Sequence, residues 1–125
     1  MNKFEISNLE LYYGDYKALK NVSMNIAANE ITAFIGPSGC GKSTVSKHLN
    51  AMLIPDSGKV FIDSLDTAQE DEDFTIRRKV GLVLQNPDNQ LVASVVEEDV
   101  AFGPENIGVE PSEIRRRVDN ALKAV

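Results

Sequence analysis

Residues 4–12 alternate, with Phe4, Ile6, then Leu9 and Leu11 set among polar neighbours. That spacing predicts one or two β segments ending near Tyr13-Gly14, with Gly14-Asp15 as a turn. Lys20 to Ala27 alternates again, with Val22, Met24 and Ile26 on one face, and Asn29 turns the chain. Two strands apolar on one side predict an antiparallel sheet with a wet face. Glu30–Ile35 and Val80–Leu84 are short apolar runs of the kind found in buried strands, and Lys59–Asp63 is a further short strand. Ser43 to Leu53 carries Val45, Leu49 and Met52 at helical spacing. Pro55-Asp56-Ser57-Gly58 is a turn signal, and residues 66–73 are an acidic loop. Ser94-Val95-Val96-Glu97 fits a capping box, so a helix is expected from Ser94 to about Gly103-Pro104. Pro111 fits a first helical turn, with Ile114, Val118, Ala121, Leu122 and Val125 as its apolar stripe.

Between the strand at 30–35 and the helix from Ser43 lies Gly36-Pro37-Ser38-Gly39-Cys40-Gly41-Lys42-Ser43-Thr44. It fits G-x-x-x-x-G-K-[ST] at each fixed position, in the strand–turn–helix setting of a phosphate loop. Gly36, Gly39 and Gly41 admit backbone angles closed to other residues and keep side chains out of the way. Successive backbone N–H groups can then wrap an anion, and the helix start adds a positive dipole end. Lys42 supplies a mobile charge for the β- and γ-phosphates. The Ser43 hydroxyl suits Mg²⁺, a hard cation that prefers oxygen. Thr44 is placed for a phosphate nearer the ribose. ATP with Mg²⁺ is the expected ligand pair.

Other candidates rank below this loop. Tyr12, Tyr13 and Tyr16 precede it by about two dozen positions; a ring there can stack on a base or pack across strands. Gln85 ends the Val80–Leu84 run, and Pro87 starts a loop directly after it. A polar residue at the end of an apolar strand stands where α/β sheets bind ligands. His48, the single histidine, reads as structural or exposed, and Asp71, Glu72 and Asp73 as a solvated turn.

Charge narrows the classes. The 125 residues carry a net charge of −6, and residues 61–125 hold fourteen acidic against seven basic side chains. That excludes a general nucleic-acid surface, which would be basic. One cysteine, Cys40, excludes an internal disulfide. No stretch approaches the roughly 18 apolar residues of a membrane span, and Met1-Asn2-Lys3-Phe4-Glu5 lacks a signal-peptide core. A cytosolic protein that docks on a membrane protein is the expectation.

The loop, the upstream Tyr13 and the downstream Gln85 together resemble the N-terminal part of an ABC transporter ATPase, over essentially the whole chain. The implied fold is α/β, a P-loop NTPase (ABC ATPase) fold, incomplete. It comprises an antiparallel β subdomain, part of a RecA-like core and the start of the helical subdomain, divided as residues 1–84 and 85–125. By that resemblance Tyr13 stacks on adenine, with Tyr16 the alternative. Lys42 and Gln85 are the catalytic candidates, and Ser43 and Gln85 the Mg²⁺ candidates. Two subfamilies share the likeness. Residues 16–44, with Lys17-Ala18-Leu19-Lys20-Asn21-Val22 and the phosphate loop, resemble phosphate importers. Residues 81–108, with Gln85-Asn86-Pro87-Asp88-Asn89-Gln90-Leu91-Val92 and Val96 to Asn106, resemble the ATPases of energy-coupling factor (ECF) transporters for vitamins and metal ions. The second segment carries more weight, because in this family it meets the membrane subunit.

The resemblance implies a second ATPase subunit and transmembrane transporter subunits as partners, no nucleic acid, and a peripheral place on the cytoplasmic face of the membrane. Alternatives are a phosphate-import ATPase, a non-transport ABC protein or a nucleotide-binding regulator. Residues 1–125 contain no Leu-Ser-Gly-Gly-Gln signature and no apolar strand ending in Asp-Glu. These residues alone are therefore expected to bind ATP without hydrolysing it, and to be poorly soluble.

Overall fold

The computed structural model describes residues 1–125, which form two compact units, Met1–Leu82 and Val83–Val125. The first unit is built on one four-stranded antiparallel sheet in the order β2-β1-β3-β4. Its strands are β1 (Asn2–Tyr13), β2 (Tyr16–Ala27), β3 (Ser57–Ile62) and β4 (Leu65–Asp66). The alternation along β1 slips between Ile6 and Leu9, and Asn8 there adopts φ 49°. That extra residue is a bulge. It resets the phase, so Ile6, Leu9 and Leu11 all face the core, where each is at most 5% exposed. The bulge is stitched across to β2, which has its own left-handed residue at Asn21. Asn8 Nδ2 donates to Asn21 Oδ1 at 2.7 Å, and Asn8 N–H to Ser23 Oγ at 2.9 Å.

One helix, α1 (Lys42–His48), packs against this sheet. Val45 joins Ile6, Leu9, Leu11, Leu19 and Val60 in the core, with Leu49 and Leu53 alongside. The helix is shorter than the expected Ser43–Leu53. Leu49 N–H turns to Ser46 O, the Asn50 side chain takes Met52 N–H, and Ala51 adopts φ 61°; Met52 is left exposed. A second cluster joins Ala51, Ile62 and Ile76, the last from α2 (Asp73–Lys79). The acidic stretch before α2 includes one 3₁₀ turn at Glu70–Glu72.

Neither apolar run read as a buried strand forms one. Residues 31–37 and 80–84 are irregular, with Ile31 102% exposed, Ile35 94% and Val83 80%. A strand exists through hydrogen bonds to a neighbour, and a buried one needs partners on both edges and cover on both faces. The sheet is the antiparallel one, in the order β2-β1-β3-β4, and neither run is hydrogen-bonded into it. From these runs Phe34 packs against the first core cluster and Val80 against the second.

The second unit pairs α3 (Val96–Asn106) with α4 (Pro111–Lys123). Helix α3 starts two residues after Ser94, with no side-chain cap. Asp99 instead ties down the chain before the helix, accepting Val92 N–H at 2.8 Å and Ala93 N–H at 3.1 Å. The helix also runs past Gly103-Pro104. Its stop is Gly108 at φ 75°, where Gly108 N–H reaches Glu105 O and Val109 N–H reaches Pro104 O. That pair of bonds is a Schellman ending, which a residue in left-handed conformation makes and a glycine makes at least strain. Of the α4 stripe, Val118 is buried, Ile114 half-buried, and Ala121, Leu122 and Val125 are exposed. No helix is long and apolar enough to cross a membrane.

Candidate nucleotide site

The phosphate loop leaves the irregular run at Gly36 and enters α1 at Lys42. Two of its glycines are left-handed, Gly39 at φ 81° and Gly41 at φ 103°. Gly41 is required twice over, because a Cβ there would also approach Leu19 Cδ2 to 2.9 Å. Beta-strand core and loop are thus in direct contact. Inside the loop, Cys40 N–H donates to Pro37 O at 3.3 Å, and Val45 N–H to Gly41 O at 2.9 Å. No side chain caps α1 and no acid sits in its first turn, so the opening N–H groups are left to a ligand.

Lys42 Nζ lies 2.6 Å from Gly36 O, 2.8 Å from Pro37 O and 3.5 Å from Cys40 Sγ. The ammonium therefore closes the loop upon itself, at the place where the loop gathers its charge. Ser43 is exposed and Thr44 half-buried beside it on α1. Ser38 and Cys40 are exposed. The Ser43 hydroxyl is a hard oxygen donor of the kind Mg²⁺ prefers. No group of three or more His, Cys, Asp or Glu side chains stands ready to hold a metal by itself.

A cavity of about 320 Å³ opens between β2 and the loop, bordered by Tyr16, Lys17, Ala18, Lys20, Gly39 and Cys40. Tyr16 is 67% exposed at its rim; Tyr13 pairs with Tyr16 across the hairpin, is 52% exposed, and does not line the cavity. Lys17 is held by Glu10 at 2.9 Å and lies over the Tyr12 ring at 5.7 Å, so Tyr12 is committed to packing. The hydrogen bond from Lys17 to Glu10 raises the Lys17 pKa. The β2 residues along the cavity carry no motif of their own. Their one signal was the Lys17-to-Val22 string. Gln85 belongs to the second unit, exposed in irregular chain just before a 3₁₀ turn at Pro87–Gln90.

A family model described as ABC transporter matches residues 19–125. The chain belongs to the ABC transporter family. Among its relatives is an energy-coupling factor transporter ATP-binding protein, EcfA1, of Clostridium perfringens. The two are 56% identical over 108 residues, 86% of this chain and 38% of that protein. Among solved structures, cbiO1 from Clostridium perfringens, described as part of the ABC transporter complex cbiONQ, superposes with a TM-score of 0.84. It is 40% identical, over 98% of this chain and 49% of that one. The ATP-binding cassette MJ0796, in a dimeric post-hydrolysis state bound to ADP and Pi, superposes with a TM-score of 0.78 at 31% identity, over 96% and 56%. The chain thus spans between about two fifths and just over half the length of these proteins.

Proposed function

We propose that this protein is the ATP-binding subunit of an ABC importer of the energy-coupling factor type, coupling ATP binding and hydrolysis to uptake of a vitamin or metal ion. The observation that carries the reading is the loop from Gly36 to Thr44, closed on the Lys42 ammonium and opening onto the uncapped start of α1. Backbone N–H groups of Gly36, Ser38, Gly39 and Gly41 cradle the phosphates, Pro37 having none; Lys42 adds charge, and Thr44 holds a phosphate nearer the ribose. Tyr13 provides the adenine platform, with Tyr16 as the alternative that borders the cavity. Ser43 would hold Mg²⁺, and Gln85 is assigned by the family resemblance as a further Mg²⁺ contact that would orient the attacking water. A bound Mg²⁺ would supply positive charge to the phosphates. Kinship to EcfA1 and to a member of the cbiONQ complex supports the energy-coupling factor reading over other importers.

Its partners are a second ATPase subunit and transmembrane transporter subunits, which place it peripherally on the cytoplasmic face. Phosphoryl transfer depends on positioning and charge stabilisation by groups around the whole γ-phosphate. Residues 1–125 contain no signature motif and no Asp-Glu strand end, so these residues by themselves bind ATP without turning it over. Uptake of radiolabelled vitamin or divalent metal into vesicles holding the protein and its membrane subunits tests the reading. ATP-dependent uptake supports it; uptake of phosphate and not of vitamins or metals would sink it.

A further inference from the structure

Helix α1 has only seven residues, too few to hold itself by propensity. Two of its side chains bond back to carbonyls of its own first turns. Ser46 Oγ donates to Lys42 O at 3.0 Å, and His48 Nδ1 lies 2.8 Å from Thr44 O. A carbonyl only accepts, so Nδ1 carries the proton and Nε2 of the neutral ring is a bare acceptor. His48 is 0% exposed, and its Nε2 is buried with no hydrogen-bond partner. A bare nitrogen is tolerated there, whereas a second N–H with a positive charge would be stranded. The strands packed on α1 present Ile6, Leu9, Leu11, Leu19 and Val60 to the shared core, with Ala18, Val22 and Met24 of β2 beside them, all apolar. Asp56, in the loop before β3, is the one charged group whose field reaches the ring, and its carboxylate already accepts Tyr12 N–H at 2.7 Å. Burial outweighs both Asp56 and the Thr44 carbonyl, and holds the imidazole below its ordinary pKa.

We propose that His48 is a positioning residue for the phosphate site. As a neutral imidazole inside the fold it fixes the Thr44 carbonyl, and with it the turn of α1 that presents Lys42, Ser43 and Thr44 to the nucleotide. His48 itself touches no phosphate. The proposal rests on the nucleotide-binding reading above.

The test is the pH profile of MgATP affinity for the unsubstituted protein, His48→Asn and His48→Leu. Asparagine places an N–H near the position of Nδ1 and does not titrate; leucine fills space without a donor. At about pH 8, well above the ordinary histidine pKa of about 6.5, the unsubstituted protein and His48→Asn bind alike, and His48→Leu binds about fivefold more weakly, the loss of one hydrogen bond. As pH falls below the ordinary histidine value, the unsubstituted protein loses affinity that His48→Asn keeps, down to the lowest pH at which both remain folded. Titration of the nucleotide's own phosphate is common to both and cancels. Equal pH profiles for these two would overturn the proposal, as would full affinity in His48→Leu. Should His48→Leu fail to fold, the His48→Asn comparison decides alone. No binding by the unsubstituted protein at pH 8 overturns the nucleotide reading itself, and this inference with it.

Discussion

The Lys42 ammonium lies 2.6 Å from the carbonyl oxygen of Gly36, six residues earlier in the chain. Both bonds from Lys42 to loop carbonyls are exposed. They contribute little to folding, since an exposed hydrogen bond exchanges freely with water. The same ammonium is the loop's one side-chain charge for a phosphate. Lys42→Ala is therefore expected to leave the melting temperature nearly unchanged and to reduce MgATP affinity by a factor on the order of 100, about 3 kcal/mol for a charged contact. Fluorescent-nucleotide titration beside a thermal melt checks both halves. Unchanged affinity would remove Lys42 from the site.

Tyr13 and Tyr16 face each other across the Gly14-Asp15 turn, and only Tyr16 borders the cavity beside the phosphate loop. If Tyr13 is the adenine platform, Tyr13→Ala weakens ATP binding by about 1 kcal/mol, roughly fivefold, the scale of one stacking contact. Binding of inorganic triphosphate stays the same, because it has no base. The same loss in Tyr16→Ala, with Tyr13→Ala silent, moves the platform to the far side of the turn.

Gly58 stands at the start of β3 with φ 84°, and a Cβ there would sit 2.1 Å from Asn8 O and 2.5 Å from Ser7 O. Both obstacles are backbone, so no side chain can swing aside. Gly58→Ala is expected to cost more than about 2 kcal/mol, combining left-handed strain with displacement of the β1 bulge. Urea midpoints measure this. A loss below about 0.5 kcal/mol, the range of neutral surface changes, would contradict the packing of β3 on Asn8.

Helix α4 holds an acid that resists protonation. Arg116 and then Arg117 bind the Glu113 carboxylate and lower its pKa to about 2. Its folded pKa lies below the unfolded value, so its stabilising contribution is complete above the ordinary glutamate range. That contribution falls away as pH drops from about 4.5 toward about 2. Glu113→Gln is expected to flatten the acid limb of helical circular dichroism across that window, and to lower stability slightly at neutral pH, where the ionised carboxylate makes its full contribution. The pair Arg115–Asp119 shares the α4 surface, and Arg115 also reaches Glu97 on α3 at 3.0 Å, so part of the acid response remains.

The legible parts of this chain were those whose cause is local. The phosphate loop follows from glycine conformations and the start of α1, all within nine residues, and the motif names them. The antiparallel strands were visible because each carries its own alternation, and Pro111 marked α4 because its ring favours a first turn. Exact phase and ends were not visible. Asn8 is one polar residue in a polar-apolar pattern, and only pairing with β2 turns it into a bulge. Ser94 had the right neighbours for a capping box, yet Asp99 takes the amides of Val92 and Ala93 from within α3. His48 looked unremarkable because burial and an orphaned Nε2 are properties of packing, which no single residue announces. Ile31, Ile35 and Val83 have the composition of buried strands, and composition does not supply a hydrogen-bonding neighbour.

The segment carrying the phosphate loop is moored at both ends to β1 and the residue just before it. Ala28 N–H bonds to Met1 O, and Asp56 N–H bonds to Glu10 O. Everything between them, α1 included, is a closed ring whose clasp is β1. The entropy of closing such a ring grows only slowly with its length, so most of the ordering cost is met once, when β1 docks. A ligand that orders the ring and a strand that fastens it therefore reinforce each other, although they lie on different parts of the chain. The first dozen residues touch no phosphate, yet they set how much freedom the loop must give up to hold one.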